Sequence, residues 1–401
     1  MSRPKSKSQR QPTAPLPPAA QPAADQSGPG CAEGAGQQIL KHAVTATCWL
    51  DPGGDGQPHP VSVSFSGRRA GVKGRPRDGD RFDQVETIDP AVPGSGPVSV
   101  TAKVFDVTPG EWAVWVRPGA GPDRGRRAAL LPAPPAGGRL GLRRFLWGKG
   151  NPVPAGNSGT PVTTRAGAFT TGPGLIPGSW LPLLLGGVVV ALAVQAVLAG
   201  REHLSAGTAL GVSLAASAVG AAGARAWFVA LNCGKVQGIP TQGLCVQGFI
   251  AAAVAVLIAG LALTGTPIRT FLDVTAPGLF FGMAIGRQGC FLHGCCTGRV
   301  TSSRWGIWAS DGRVGARRAP AQQLESLASL LIGVAALLFD LQARRPAAGT
   351  VFIGAVAAHT LCRQLLFPYR AEPRRTSSGR RVVLITAALV LAADVIVAIV
   401  T

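Results

Sequence analysis

From Trp180 to its end the chain is built of long apolar runs separated by short polar loops. They lie near 180–200, 205–231, 243–264, 271–291, 323–341, 349–367 and 382–400. Each is close to the roughly 20 residues that carry an α-helix across the hydrocarbon core of a bilayer. Backbone N–H and C=O groups have no water to bond there, so such runs satisfy themselves by folding as helices. The runs are rich in Ala, Gly and Ser, as in Gly211-Val-Ser-Leu-Ala-Ala-Ser-Ala-Val-Gly-Ala-Ala-Gly223. Small residues let membrane helices approach closely enough to pack. The sequence therefore predicts an all-α polytopic membrane bundle of about seven transmembrane helices over residues 179–401.

What precedes the bundle is different in kind, so the averages of 54 Gly, 33 Pro and a net charge of +20 describe neither half. Met1–Arg10 is basic, and the Pro/Ala/Gln-rich stretch after it cannot bury enough apolar surface to fold. Residues 1–40 are expected to be a disordered tail. No apolar run of the signal-peptide type follows the basic start, so the run near Trp180 is expected to direct insertion. A basic tail is attracted to anionic lipid headgroups. No motif supports a nucleic-acid partner.

Residues 41–118 read as a small β-sandwich-like region. His42–Trp49, Val61–Phe65, Val98–Phe105 and Glu111–Val116 alternate apolar and polar side chains between Gly, Pro and Asp clusters. The break at Asp106-Val-Thr-Pro-Gly110 looks like the late hairpin of a fibronectin-III-like sandwich. Residues 119–178 are expected to be a Pro/Gly-rich linker with a basic cluster at Arg139, Arg143, Arg144 and Lys149. The β region shows no chemical constellation, which makes it a spacer or contact module at the membrane surface. Removing residues up to about 170 is expected to leave the helical half folded.

One stretch is a site and not a connector: Gly286-Arg-Gln-Gly-Cys-Phe-Leu-His-Gly-Cys-Cys-Thr-Gly-Arg299. An arginine at the edge of hydrocarbon is costly and normally has an anionic partner such as a lipid phosphate. Arg225, within the second run, faces protein or a polar cavity by the same argument, as a substrate contact or as a snorkelling structural arginine. Glu325 either caps its helix, where a carboxylate complements the dipole, or orients an arginine. Cys290, His293, Cys295 and Cys296 crowd into seven residues. Readings of that cluster run from packing to redox chemistry, a catalytic or acyl-carrying thiol, and zinc. Structural zinc sites usually combine two separated ligand pairs, so no metal and no cofactor are expected. His293 is either a base brought to Arg287 or a loop side chain bonded to backbone. Cys233 with Cys245, and Cys31 with Cys48, are pairs that an oxidising compartment would allow to bond.

Several features fall in one order: Gly223-Ala-Arg225, Gly243-Leu-Cys-Val-Gln247-Gly248, Pro267-x-x-x-Phe-x-Asp273, Gly286-Arg-Gln-Gly-Cys-Phe-Leu, Gln322-Gln-Leu-Glu325, Arg363 and Arg370. Order and spacing resemble the prolipoprotein diacylglyceryl transferase family over roughly residues 175–401. The resemblance implies transfer of a diacylglyceryl group from phosphatidylglycerol, or a related anionic phospholipid, to the lipobox cysteine of a preprolipoprotein in the bacterial plasma membrane. It implies a phosphate-binding role for Arg287, with Arg363 or Arg370 assisting. Gly286, Gly289, Gly298, Arg225 and Glu325 are the further substrate-binding positions.

Gln247 stands where the family has histidine, Cys290 where it has asparagine, and Cys295 where it has an acidic residue. The catalytic set expected here is therefore Arg287, His293, Gln247, Cys290 and Cys295. The alternative is a catalytically degenerate membrane protein that binds phospholipid or lipoprotein, and a third reading is a transferase with a cysteine as covalent carrier. The resemblance also implies an outside N-terminus and an outward-open site. The positive-inside rule favours the reverse, since Arg299, Arg304, Arg313, Arg317, Arg318, Arg374, Arg375, Arg380 and Arg381 would lie outside, against Arg201, Arg269, Arg344 and Arg345 inside. Arginines that hold phosphate bias such a count, and the family orientation is kept.

Overall fold

The computed structural model describes residues 41–53, 56–74, 77–118, 129–131, 159–166, 172–232, 245–342, 347–372 and 379–400. The expected tail, Cys31, Cys233, the basic cluster at 139–149, Arg344, Arg345, Arg374 and Arg375 lie outside the described residues.

Among the described residues, seven helices are long and apolar enough to cross a membrane. They are α1 (Trp180–Arg201), α2 (Ala206–Asn232), α3 (Val246–Thr264), α4 (Ile268–His293), α5 (Ala321–Leu341), α6 (Thr350–Leu366) and α7 (Gly379–Val400). Helix α4 is central, packing on α1, α5 and α6, while α2 pairs with α3 and α7 lies on α6. Small residues set the α1–α4 approach: a Cβ on Gly187 would stand 2.7 Å from the Gly282 carbonyl oxygen, so only glycine lets the backbones come this near. Two turns further along α1, Gln195 donates to the Thr275 hydroxyl at 2.7 Å, satisfying a side chain buried between the helices.

The ends of α4 are fixed by the chain itself. Pro267 precedes its first turn, and Gly294 in the left-handed conformation (φ 83°) ends it. Near its start Asp273 accepts from the backbone N–H of Gly349 at 2.6 Å and of Phe352 at 2.9 Å. These are donors at the head of α6 with no partner inside that helix, so Asp273 caps α6 from a neighbouring helix.

The β region is a sandwich of two sheets. Its strands are β1 (His42–Asp51), β2 (His59–Arg69), β3 (Arg81–Ala91), β4 (Val98–Phe105), β5 (Glu111–Pro118), β6 (Ala129–Leu131), β7 (Thr160–Thr163), β8 (Arg165–Ala166), β9 (Ile307–Ser310) and β10 (Val314–Arg318). One sheet runs β6-β1-β4-β10-β9 with β8 also on β1, and the other runs β3-β2-β5-β7. Alternation works as the sequence suggests: Val61, Val63 and Phe65 of β2 and Trp112, Val114 and Val116 of β5 turn into the shared core. Burial pushes the Cys48 thiol in that core up to about 12, backbone hydrogen bonds opposing it. Strands β6, β7 and β8 come from the stretch expected to be linker.

Strands β9 and β10 come from the loop between α4 and α5. β10 pairs with β4 through Val314↔Val100 and Gly315↔Ser99, Trp308 stacks on Trp49 at 5.8 Å, and Ala316 sits in the sandwich core. Arg313 of the hairpin turn forms an ion pair with Glu86 of β3. The β region and the membrane half are thus joined through one sheet, to which the loop between two membrane helices supplies two strands and which begins 265 residues before β9, at His42.

Candidate active site

The last turns of α4, the loop after them, the head of α5 and the segment following α6 meet at one end of the bundle. Arg287 of α4 places Nε 3.0 Å from Glu325 Oε2, and Arg370 places Nη1 2.7 Å from Glu325 Oε1. Arg370 reaches Glu372 with its other terminal nitrogen at 2.9 Å. Glu325 is 3% and Arg370 2% exposed, so a buried carboxylate is shared by one buried guanidinium and by the half-buried one of Arg287. Burial works against the Arg370 charge, but Glu325 and Glu372 more than offset it and hold the guanidinium above its ordinary range. Arg363, exposed on α6, lies within electrostatic reach of Arg287, Arg370 and Glu325. It makes no hydrogen bond or ion pair to another described residue. The three arginines outnumber the carboxylates beside them, an arrangement that attracts a phosphate. Of the two readings of Glu325, arginine orientation replaces helix capping: Pro320 occupies the cap position of α5.

The loop that follows α4 is pinned from both sides. Arg299 N donates to Tyr369 O at 2.8 Å, Ala371 N to Thr297 O at 3.0 Å, and Ala319 N to Arg299 O at 2.9 Å. Gly298 lies so close to the Ala319 and Tyr369 carbonyls that a Cβ would collide with backbone. Arg318 at the end of β10 is 4% exposed and donates to Gly298 O at 3.1 Å and to Asp311 Oδ2 at 2.6 Å. The sandwich therefore holds the loop that holds Arg370. Gln322 at the head of α5 donates to Cys295 O at 2.7 Å.

Three thiols converge where α4 runs into this loop. The Sγ atoms of Cys290, Cys295 and Cys296 all lie within 4.8 Å of one another, each residue half-buried. The chain achieves this by ending α4 at Gly294 and placing Cys296 at φ 56°, a left-handed conformation uncommon outside glycine. Hydrogen bonds that the Cys295 S–H donates to Cys290 and then to Cys296 hold its proton in place and its pKa well above the usual range. The Arg287 guanidinium lies beside Cys290, and Cys296 is within electrostatic reach of Arg363 and Arg370.

The structure brings together Arg287, Cys290, Cys295, Gly298, Glu325, Arg363 and Arg370. Gly286 faces open space, while Gly289 packs against Trp180 and Leu183 of α1. His293 is exposed at the end of α4, and its charged neighbour is Lys103 of β4, not Arg287. Gln247, exposed on α3, accepts from the Cys245 thiol at 2.8 Å. Arg225 of α2 sits 5.9 Å from the Phe228 ring centroid. His359 was missed by sequence reasoning. Its ring packs on Phe280 at 5.4 Å, its Nδ1 is buried without a hydrogen-bond partner among the described residues, and Arg363, Arg287 and Glu325 are its charged neighbours. Its place four residues before Arg363, on the same helix face, is the signal that points to it.

The family model described as prolipoprotein diacylglyceryl transferase matches residues 181–400. A phosphatidylglycerol–prolipoprotein diacylglyceryl transferase of Finegoldia magna is 30% identical over 161 residues, 38% of this chain and 63% of the relative. A protein of the same name from Dehalococcoides mccartyi is 33% identical over 126 residues, 30% of this chain and 47% of the relative. The chain thus covers less than two thirds of the length of either relative.

Proposed function

This chain belongs to the prolipoprotein diacylglyceryl transferase family, and from that premise we propose that it moves a diacylglyceryl group from phosphatidylglycerol to the lipobox cysteine of a preprolipoprotein. The observation that carries the reading is the buried Arg287–Glu325–Arg370 constellation with Arg363 beside it. Glu325 engages Arg287 through Nε, so the terminal nitrogens of that fork lie outside this ion pair and are the ones a phosphate would meet. The substrate thiolate attacks the glyceryl CH2 carbon. A C–S bond forms, the C–O bond to phosphate breaks, and its electron pair leaves on glycerol phosphate. Guanidiniums already in place stabilise the charge that develops on the departing oxygen, without reorganisation at the moment of reaction. His359, with its unpartnered nitrogen, is the imidazole best placed to receive the thiol proton. The sandwich and the site share one end of the bundle, which in this reading faces outside.

A second reading is a phospholipid- or lipoprotein-binding protein without turnover. It is favoured by Gln247, which carries no titratable proton, and by His293, whose charged neighbour is a lysine. The test is transfer from labelled phosphatidylglycerol to a lipobox peptide by the purified full chain. Losing one preorganised donor to a developing oxyanion costs about 10²–10³ in rate, and Arg287→Ala is expected to lose at least that. Transfer that survives Arg287→Ala overturns the mechanism. Headgroup binding without any transfer establishes the second reading.

A further inference from the structure

Cys290, Cys295 and Cys296 are given no role by the anion site. Their spacing in sequence argues for packing, but the folded loop gathers their sulfurs within 4.8 Å of one another. Two of the three come from the loop and one from the helix it leaves, so the arrangement depends on the turn at Gly294 and the left-handed Cys296. Zn–S bonds of about 2.3 Å in a tetrahedral site set sulfurs about 3.8 Å apart, and small side-chain rotations bring these thiols to that spacing. Among the described residues no fourth histidine, cysteine or carboxylate joins the group. Three protein ligands with one position left open is the arrangement of catalytic zinc, whereas structural zinc is closed by four. The residues are half-buried and so reachable by an ion. Charge agrees: three thiolates around a divalent ion carry a net negative charge, and Arg287, Arg363 and Arg370 stand around them.

We propose that Cys290, Cys295 and Cys296 bind one thiophilic divalent ion of the zinc class, with the fourth coordination position open beside Arg287. Resting on the transferase reading, that position takes the sulfur of the substrate cysteine. A thiol that coordinates such an ion is deprotonated outright, so the lipobox S–H loses its proton to solvent, directly or by way of His359. The metal-held thiolate then forms the C–S bond while the C–O bond to glycerol phosphate breaks. The ion undergoes no redox change, and the product thioether, a far weaker ligand, leaves it. This arrangement also supplies a source of thiolate in a site where Glu325 is already committed to two arginines.

The test is metal content of the full chain purified in detergent under reducing conditions, followed by exchange with Co(II). One zinc per chain, and intense thiolate-to-cobalt charge-transfer absorption, are expected. Cys290→Ser and Cys295→Ser should each lower zinc affinity by at least tenfold and weaken the charge-transfer band. Arg287→Ala should keep the metal while losing transfer, which separates the two readings. Zinc bound without transfer sustains the site and sinks the transferase reading; transfer by zinc-free protein does the reverse. Three reduced thiols that bind no zinc overturn the proposal. So does selective capture of Cu(I), whose trigonal site leaves no open position. If a serine variant fails to fold, the cobalt spectrum of the unsubstituted chain still decides, since a spectrum without thiolate charge transfer overturns the site.

Discussion

Replacing Glu325 with alanine strands the buried Arg370 guanidinium and the half-buried Arg287 guanidinium. In the native site its carboxylate lies 3.0 Å from Arg287 Nε and 2.7 Å from Arg370 Nη1, with both Glu325 and Arg370 almost wholly shielded from water. Breaking a buried ion pair by removing one partner costs about 3–5 kcal/mol, because the charge left behind is neither solvated nor paired. Here two cations lose their shared anion, and among the described residues only Arg370 retains another, Glu372, which is half exposed. We therefore expect Glu325→Ala at or above the middle of that range. The assay is a double-mutant cycle of unfolding in detergent with Arg287→Ala. Residues within one such network couple by about 0.5–3 kcal/mol, so Glu325→Ala should cost visibly less when Arg287 is already gone. Glu325→Gln, which keeps an acceptor without the charge, should fall between wild type and Glu325→Ala. A Glu325→Ala protein within about 0.5 kcal/mol of wild type, the range of ordinary surface substitutions, would refute the reasoning. An additive cycle would do the same.

Asp273→Ala frees the Gly349 and Phe352 donors and should destabilise the protein by about 1–2 kcal/mol, as loss of a helix cap does. An unchanged unfolding midpoint would show that the cap contributes nothing. Deleting residues 1–170 uncovers Val314 and Ala316 and unstacks Trp308. It should make the 294–320 loop protease-sensitive and lower transfer, and a truncated chain of full activity would contradict the shared sheet. His359→Gln should lower the rate of transfer at saturating lipid with little change in lipid binding, whereas His293→Gln should leave both near wild type. The reverse ranking would put the base on the loop.

The helices were legible because bilayer thickness leaves a spanning segment few options, and each expected run lies within a few residues of a helix. Arg287 was legible as a cation that hydrocarbon would reject without a partner, while Arg363 and Arg370 were legible only through their match to the family pattern. The shared sheet was not, since β10 pairs with a strand 215 residues away: Ser99 meets Gly315 across 216 positions and Val100 meets Val314 across 214. The local trace is nevertheless present. Asp311-Gly312 is a hairpin signal between short alternating runs, easily passed over between two membrane helices. Strand β3 was missed because Arg81, Asp83 and Thr87 dominate its appearance, while Phe82 and Ile88 carry it into the core. The thiol cluster and the double pairing of Glu325 are products of folding. Each depends on where α4 stops and on how the chain beyond α6 returns, which spacing along the sequence does not report.

The most direct test of the account is the mass of a lipobox peptide after incubation with the purified chain and phosphatidylglycerol, with glycerol phosphate measured in the same reaction. A peptide heavier by one diacylglyceryl group on its cysteine sulfur is expected, with an equal amount of released glycerol phosphate. An unmodified peptide, or a lipid increment left on Cys290, Cys295 or Cys296 of the protein in its place, would contradict it.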